Sequence, residues 1–144
     1  MNIPTPSKEV IEKYKYEWLH LKENYIYQEK SLNKLFKELI PNNNLVEDIL
    51  LKVSTLNDFY STNIFSVFPV ANHIHECNFD ERVKLGDPTL VNDIALVTIS
   101  GKQKNFYSFA TKYCAHHSDE YAIYDSFVEK MLMYFKDKDK FFNF

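Results

Sequence analysis

Two glycines in 144 residues, Gly86 and Gly101, constrain this chain more than any other feature. Turn-rich β architectures and phosphate-cradling loops need many positions that glycine fills most readily, whereas helices lose stability to it. A chain poor in glycine and rich in long aliphatic and aromatic side chains is expected to be all-α. Its length fits one domain able to bury a real core. The expectation is a single compact multi-helix domain over 1–144, with N-terminal helices over 1–43, a helical core over 44–135 and a tail over 136–144.

Local signals divide the chain further. Thr5-Pro6 reads as an N-cap followed by a first-turn proline, and Ile11, Tyr14, Trp18, Leu21 and Tyr25 then recur at steps of three and four. That spacing predicts one helix with an aromatic-aliphatic core stripe. Leu32, Leu35, Phe36 and Leu39 predict a second inward face, interrupted at Pro41. Asn44 and Glu47 have capping-box spacing ahead of Leu45, Ile49 and Val53. Residues 57–75 look helical, with Pro69 as a stop or kink. Asp87-Pro88 repeats the cap-plus-proline signal before LVNDIALVTI, and Ser100-Gly101 supplies a turn. Two helices follow, one presenting Phe106, Phe109, Ala110, Tyr113 and Cys114, the other Phe127, Val128, Met131, Leu132 and Phe135. KDKDK at 136–140 reads as a solvated run, and FFNF closes the chain with three aromatics that either dock or belong to a longer structure.

The formal charge of −3, with Arg82 the lone arginine among 17 basic residues, carries no global nucleic-acid signature. Yet no Asp or Glu occurs from Ile94 to Ser118, while Lys102, Lys104 and Lys112 all fall inside, so a local basic face is expected there. MNIPTPSKEV lacks the basic-then-apolar pattern of a secretory leader, and the apolar run Ile64–Ala71 is too short to span a bilayer. With Cys77 and Cys114 read as reduced thiols, the expected location is cytoplasmic, with no membrane partner.

The densest chemistry lies in YCAHHSDEYAIYD, residues 113–125. Metal binding by His73, His75, Cys77, Cys114, His116 and His117 lacks any paired CxxC or HExxH spacing, so no metal and no cofactor is expected. Cys114 sits at a helix C-terminus, where the dipole raises a thiol pKa, which argues against a nucleophile. His116 and His117 read as the polar end of that helix. Asp125 remains, standing where a helix begins, as an ordinary N-cap or as a working carboxylate.

Ser108–Cys114 followed by Ile123-Tyr-Asp-Ser-Phe-Val-Glu-Lys-Met-Leu132 resembles the end of the helix-hairpin-helix DNA glycosylase fold, and small bacterial proteins related to its 8-oxoguanine glycosylase branch. The resemblance covers about Leu45 to Phe135 and implies a glycosylase-like helical core over 44–135. It places the catalytic aspartate at Asp125, phosphate contacts at Gly101, Lys102 and Lys104, and a contact to the opened base pair at Asn57. The partner it implies is double-stranded DNA. This hairpin has one glycine where active members have two, and the family's lyase lysine falls near Phe106 or Tyr107, so the implied reaction is monofunctional base excision. The competing expectation is a non-catalytic helical protein that binds another protein.

Overall fold

The computed structural model describes residues 3–140, and within them the chain is mostly helical. In chain order it runs α1 (Lys8–Leu19), α2 (Glu23–Asn33), a π-helical continuation (Lys34–Leu39), α3 (Val46–Tyr60), α4 (Val67–Glu76), α5 (Phe79–Lys84) and α6 (Leu90–Ala95). Strands β1 (Leu96–Ile99) and β2 (Lys102–Asn105), then α7 (Tyr107–His117) and α8 (Ser126–Asp139), complete it.

The core forms where α3 packs on α4 and α6 on α7, with α3 also meeting α7. Ile49, Val53 and Leu56 of α3 close against Val70, Ala71 and Ile74 of α4, while Leu90 and Ile94 meet Phe109, Ala110, Tyr113 and Cys114. Helix α7 is buried from Phe109 to Cys114 without a break, because other elements surround it on every side. That position makes α7 the axis from which the candidate site projects.

The all-α expectation needs one small amendment. β1 and β2 pair antiparallel, Leu96 with Asn105 through Ile99 with Lys102. Val97, Thr98 and Ile99 are β-branched and favour extended backbone over continuing α6. Ser100 and Gly101, at φ +50° and +75°, make the two-residue turn that matches strand twist. Gly86 also lies at positive φ, so both glycines serve left-handed positions.

Several sequence expectations are corrected. Ser7, not Thr5, caps α1, its Oγ accepting from the Val10 amide at 3.2 Å. The long first helix is two: His20 Nδ1–H donates to the Tyr16 carbonyl at 2.7 Å, and the His20 amide donates to Glu17 O, tightening the final turn. The stripe expected as core is exposed: Ile11, Tyr14, Trp18 and Tyr25 each keep about half their surface open, and α1 and α8 bury no residue. Periodicity made both helices amphipathic, but the described residues cover their apolar faces only in part; Leu39 and Phe127 are exposed as well. The Asn44–Glu47 capping box does not form, since α3 starts at Val46 with Leu45 as its uncapped N-cap. Asp87 likewise is not the cap of α6 but stands two residues before its N-cap, Thr89, whose amide and hydroxyl donate to the Asp87 carboxylate. Residues 57–75 divide into α3 and α4, with Pro69 in the first turn of α4, where its missing N–H costs nothing. FFNF, 141–144, lies outside the described residues.

Candidate functional site

Asp125 is the N-cap of α8: its Oδ1 accepts from the Phe127 and Val128 amides, both at 3.0 Å. Those backbone bonds, the Val128 one foremost, hold its carboxyl below the usual carboxylate range, and the nearby Lys112 charge adds to the effect. The second oxygen, Oδ2, lies 3.7 Å from Lys112 Nζ, an ion-pair contact longer than a hydrogen bond.

Lys112 comes from the buried centre of α7, with only 5 % of its side chain exposed. Its Nζ donates to Ser108 Oγ at 2.7 Å, one turn back, and sits 5.2 Å from the centre of the Tyr60 ring. Burial lowers its pKa, and Asp125 partly restores it. The expected basic face thus loses Lys112, which points inward and serves a carboxylate.

The loop carrying Asp125 is tied back to α7. Thr111 Oγ1 accepts from the Tyr124 amide at 3.0 Å and donates to Ser108 O at 2.9 Å, while Tyr107 and Tyr124 meet edge to face. Tyr121 OH donates to Asp87 O at 3.0 Å, fixing the loop's other end. Asp125 and Lys112 therefore share a cleft of about 480 Å³, walled by Phe59, Tyr60, Ser61, Thr62, Ser108 and Phe127.

The other sequence-predicted residues lie elsewhere. Gly101, Lys102 and Lys104 occupy the exposed hairpin and do not line this cleft. Asn57 is committed to its own turn: Oδ1 accepts from the Ile64 amide and Thr62 hydroxyl, and Nδ2 donates to Ile64 O. It shapes the Ser61–Thr62 rim of the cleft. Arg82 is bound to Asp87 at 2.7 Å, Asp93 at 2.6 Å and Thr89 at 2.9 Å. His73 and His75 each contact a backbone carbonyl, at Asp93 and Asn44. Among the described residues no group of three or more His, Cys, Asp or Glu could hold a metal ion. Cys114 is buried and its thiol pushed up to about 12 by desolvation. No helix of the described residues is long and apolar enough to cross a membrane.

His117 is not the solvated helix end expected from sequence. It lies among Phe36, Phe79 and Tyr113, and burial, then Lys52, pushes its pKa down to about 3. Its Nε2 faces two donors, Lys52 Nζ at 3.3 Å and Asn43 Nδ2 at 3.4 Å, which selects a neutral ring protonated at Nδ1. Lys52, fully buried, also donates to Ile40 O, Asn42 O and Asn43 Oδ1 at 3.2, 3.0 and 2.7 Å. Tyr113 OH donates to Asn43 Oδ1 at 2.6 Å, and Asp80 accepts from the Asn43 amide and side chain at 2.8 and 2.7 Å. This network locks α3, α5, α7 and the 40–43 loop together. Its one sequence signal is Lys52 itself, a lysine on the α3 face that carries Ile49, Val53 and Leu56.

Comparison with known proteins gives the chain a family. No solved structure matches it. It is 50 % identical over 98 residues to an uncharacterized protein of Haemophilus influenzae (strain ATCC 51907 / DSM 11121 / KW20 / Rd), a match covering 67 % of this chain and 49 % of that protein. The chain thus spans about half the length of the curated relative it matches. Residues 10–121, from α1 through α7 to the loop before Asp125, match the HI_0787_N N-terminal domain, and the chain belongs to that family.

Proposed function

We propose that this chain is a DNA-binding protein of base-excision type, a monofunctional N-glycosylase in which Asp125 is the catalytic carboxylate. The observation carrying this reading is the Asp125–Lys112 pair within its cleft. One carboxylate oxygen is immobilised by helix amides, and the other faces a buried cation across 3.7 Å. A carboxylate held below its usual pKa stays ionised near neutrality, so it suits electrostatic stabilisation rather than proton donation. A nucleotide extruded from the duplex would bring its sugar to Asp125. As the bond from C1′ to the base breaks and its electrons leave with the base, Asp125 stabilises the oxocarbenium ion. It then orients the water whose oxygen adds to C1′; the water's proton ends on the departed base anion, so the products are an abasic site and the free neutral base. Lys112 positions the carboxylate. Lys102 and Lys104, beside the Gly101 turn, contact the phosphate backbone, and with Arg82 committed elsewhere the affinity is low and salt-dependent.

The test is base release from duplexes carrying a panel of lesions. Asn caps helices about as well as Asp, so Asp125→Asn removes the charge while keeping the cap. Release by wild type and its loss in Asp125→Asn, with unchanged thermal unfolding, is the expected result. No release from any lesion, or equal release by the variant, refutes the catalytic reading.

A second reading, a non-catalytic helical protein that binds another protein, is favoured by one observation. Helices α1 and α8 bury none of their residues and border an apolar groove of about 1010 Å³ lined by Ile11, Tyr14, Trp18, Met131 and Phe135. It takes precedence if wild type neither binds DNA at low salt nor releases a base.

A further inference from the structure

A separate pocket of about 370 Å³ adjoins the Asp125 cleft and shares Phe59 and Tyr60 with it. Its remaining walls include Trp18 at the end of α1, Tyr25 and Glu29 of α2, and His116 of α7. Trp18 Nε1 donates to Glu29 Oε2 at 3.0 Å, which joins α1 to α2 and sets the indole beside a carboxylate. Tyr60 OH lies 3.0 Å from His116 Nε2, fixing a ring that lines both clefts. Trp18 and Tyr25 keep 45 % and 51 % of their surface open although they line a concavity.

The geometry points to this pocket as an aromatic cage for a methylated or quaternary ammonium group, with Trp18, Tyr25, Phe59 and Tyr60 as its rings and Glu29 as its counter-charge. Ring faces attract cations through their quadrupoles, indole most strongly, and an alkylated ammonium needs no hydrogen-bond acceptor set to enter. No lysine or arginine lines the pocket, and burial lowers the pKa of His116, which keeps that imidazole neutral near neutrality. Tyr60 already holds the Lys112 ammonium 5.2 Å from its centre. A nucleobase would need a hydrogen-bonding edge; here Gln28 and Glu29 are the only amide or carboxylate side chains in the lining. The inference is independent of base excision and needs no DNA.

Trp18, the chain's single tryptophan, lines this pocket and also the α1–α8 groove, so its fluorescence reports both, and Tyr25, which lines the pocket and not the groove, tells them apart. The full chain is titrated with choline, with tetramethylammonium, and with 3,3-dimethylbutanol, the neutral carbon isostere of choline. Both cations are expected to give saturable changes, with binding on the order of millimolar and about tenfold tighter than the isostere. Tyr25→Ala should abolish the change and Glu29→Gln should weaken it about fivefold. Both side chains are exposed, so both variants keep the core intact. Trp18→Ala, followed by calorimetry, should lose the binding heat. No saturable change, equal binding of the isostere, a response that survives Tyr25→Ala, or tighter binding of free nucleosides than of choline overturns the proposal.

Discussion

Lys52→Met tests the buried network through its pH dependence. Lys52 is sealed from solvent, and desolvation holds its amine down to about 8 against an ordinary 10.5, with Asp80 and Asp48 offsetting part of the shift. Between those values the unfolded chain keeps a proton that the folded chain has released, so this contribution to stability rises with pH. It is complete above 10.5 and lost as pH falls through about 8. The gap, at about 1.4 kcal/mol per pH unit, corresponds to about 3 kcal/mol, of which about 1 kcal/mol accrues between pH 8 and 9.

Methionine removes the titration and the burial of charge, but leaves the Ile40 and Asn42 carbonyls without a donor, at about 1–3 kcal/mol each. Relief and loss nearly offset at pH 7, so the variant should lie within about 2 kcal/mol of wild type there. The wild-type advantage should then grow by about 1 kcal/mol from pH 8 to 9 and approach about 3 kcal/mol more beyond 10.5. Urea unfolding followed by far-UV circular dichroism at stepped pH measures it. The difference between the two proteins is the quantity to follow. Cys114, raised to about 12, and Tyr113, also raised, lower stability at alkaline pH in both. A difference that stays flat across pH refutes the reasoning, because the amine would then titrate as an exposed lysine does.

Three further outcomes are expected. Gly101→Ala should cost about 1–2 kcal/mol in chemical unfolding: its φ is +75° and a Cβ would touch nothing within 4 Å, so the penalty is backbone strain alone. Asp125→Ala should lose about 1 kcal/mol with the α8 cap, while Asp125→Asn should lose little of it, read from paired thermal melts. If the hairpin carries phosphate, Lys102→Glu with Lys104→Glu should abolish duplex binding in fluorescence anisotropy without changing unfolding, since both side chains are exposed.

What the sequence made legible was local. Glycine scarcity foretold a mostly helical chain, and the Phe109–Ala110–Tyr113–Cys114 face foretold the burial of α7. The same periodicity failed for Ile11, Tyr14 and Trp18, because a stripe shows that a helix has an apolar face and not that another element covers it. The β-hairpin was legible only in part: Ser100-Gly101 marked the turn, while the apolar run LVNDIALVTI hid the change of backbone at Leu96. Lys52 was not legible as core because a lysine normally marks a solvated face, and what holds it inside is the pair of carbonyls, Ile40 and Asn42, that follow the π-helical turn.

The candidate site fails along sequence for a related reason, and the failure is informative. The resemblance seeks a lysine at a set distance before Asp125, and that position holds Phe106 or Tyr107. Lys112, thirteen residues before the aspartate, is a different lysine, and what the structure shows of it is an ion-pair contact with Asp125. One turn of α7 brings Lys112 to Ser108, and Thr111 beside it folds the Tyr124 backbone back onto the helix. A loop secured at Thr111 and Tyr121 can return Asp125 to the side of α7 where Lys112 emerges. The pairing therefore depends on the Thr111 hydroxyl as much as on the charges. Thr111→Val keeps the shape and volume of the side chain while freeing the Tyr124 amide, so it should loosen Asp125 from Lys112 while α8 keeps its own cap. If Asp125 works as a catalytic carboxylate, that variant should lose base release as Asp125→Asn does, with the cap's share of stability retained. Unimpaired release in Thr111→Val would mean that the pairing with Lys112 is incidental to whatever Asp125 does.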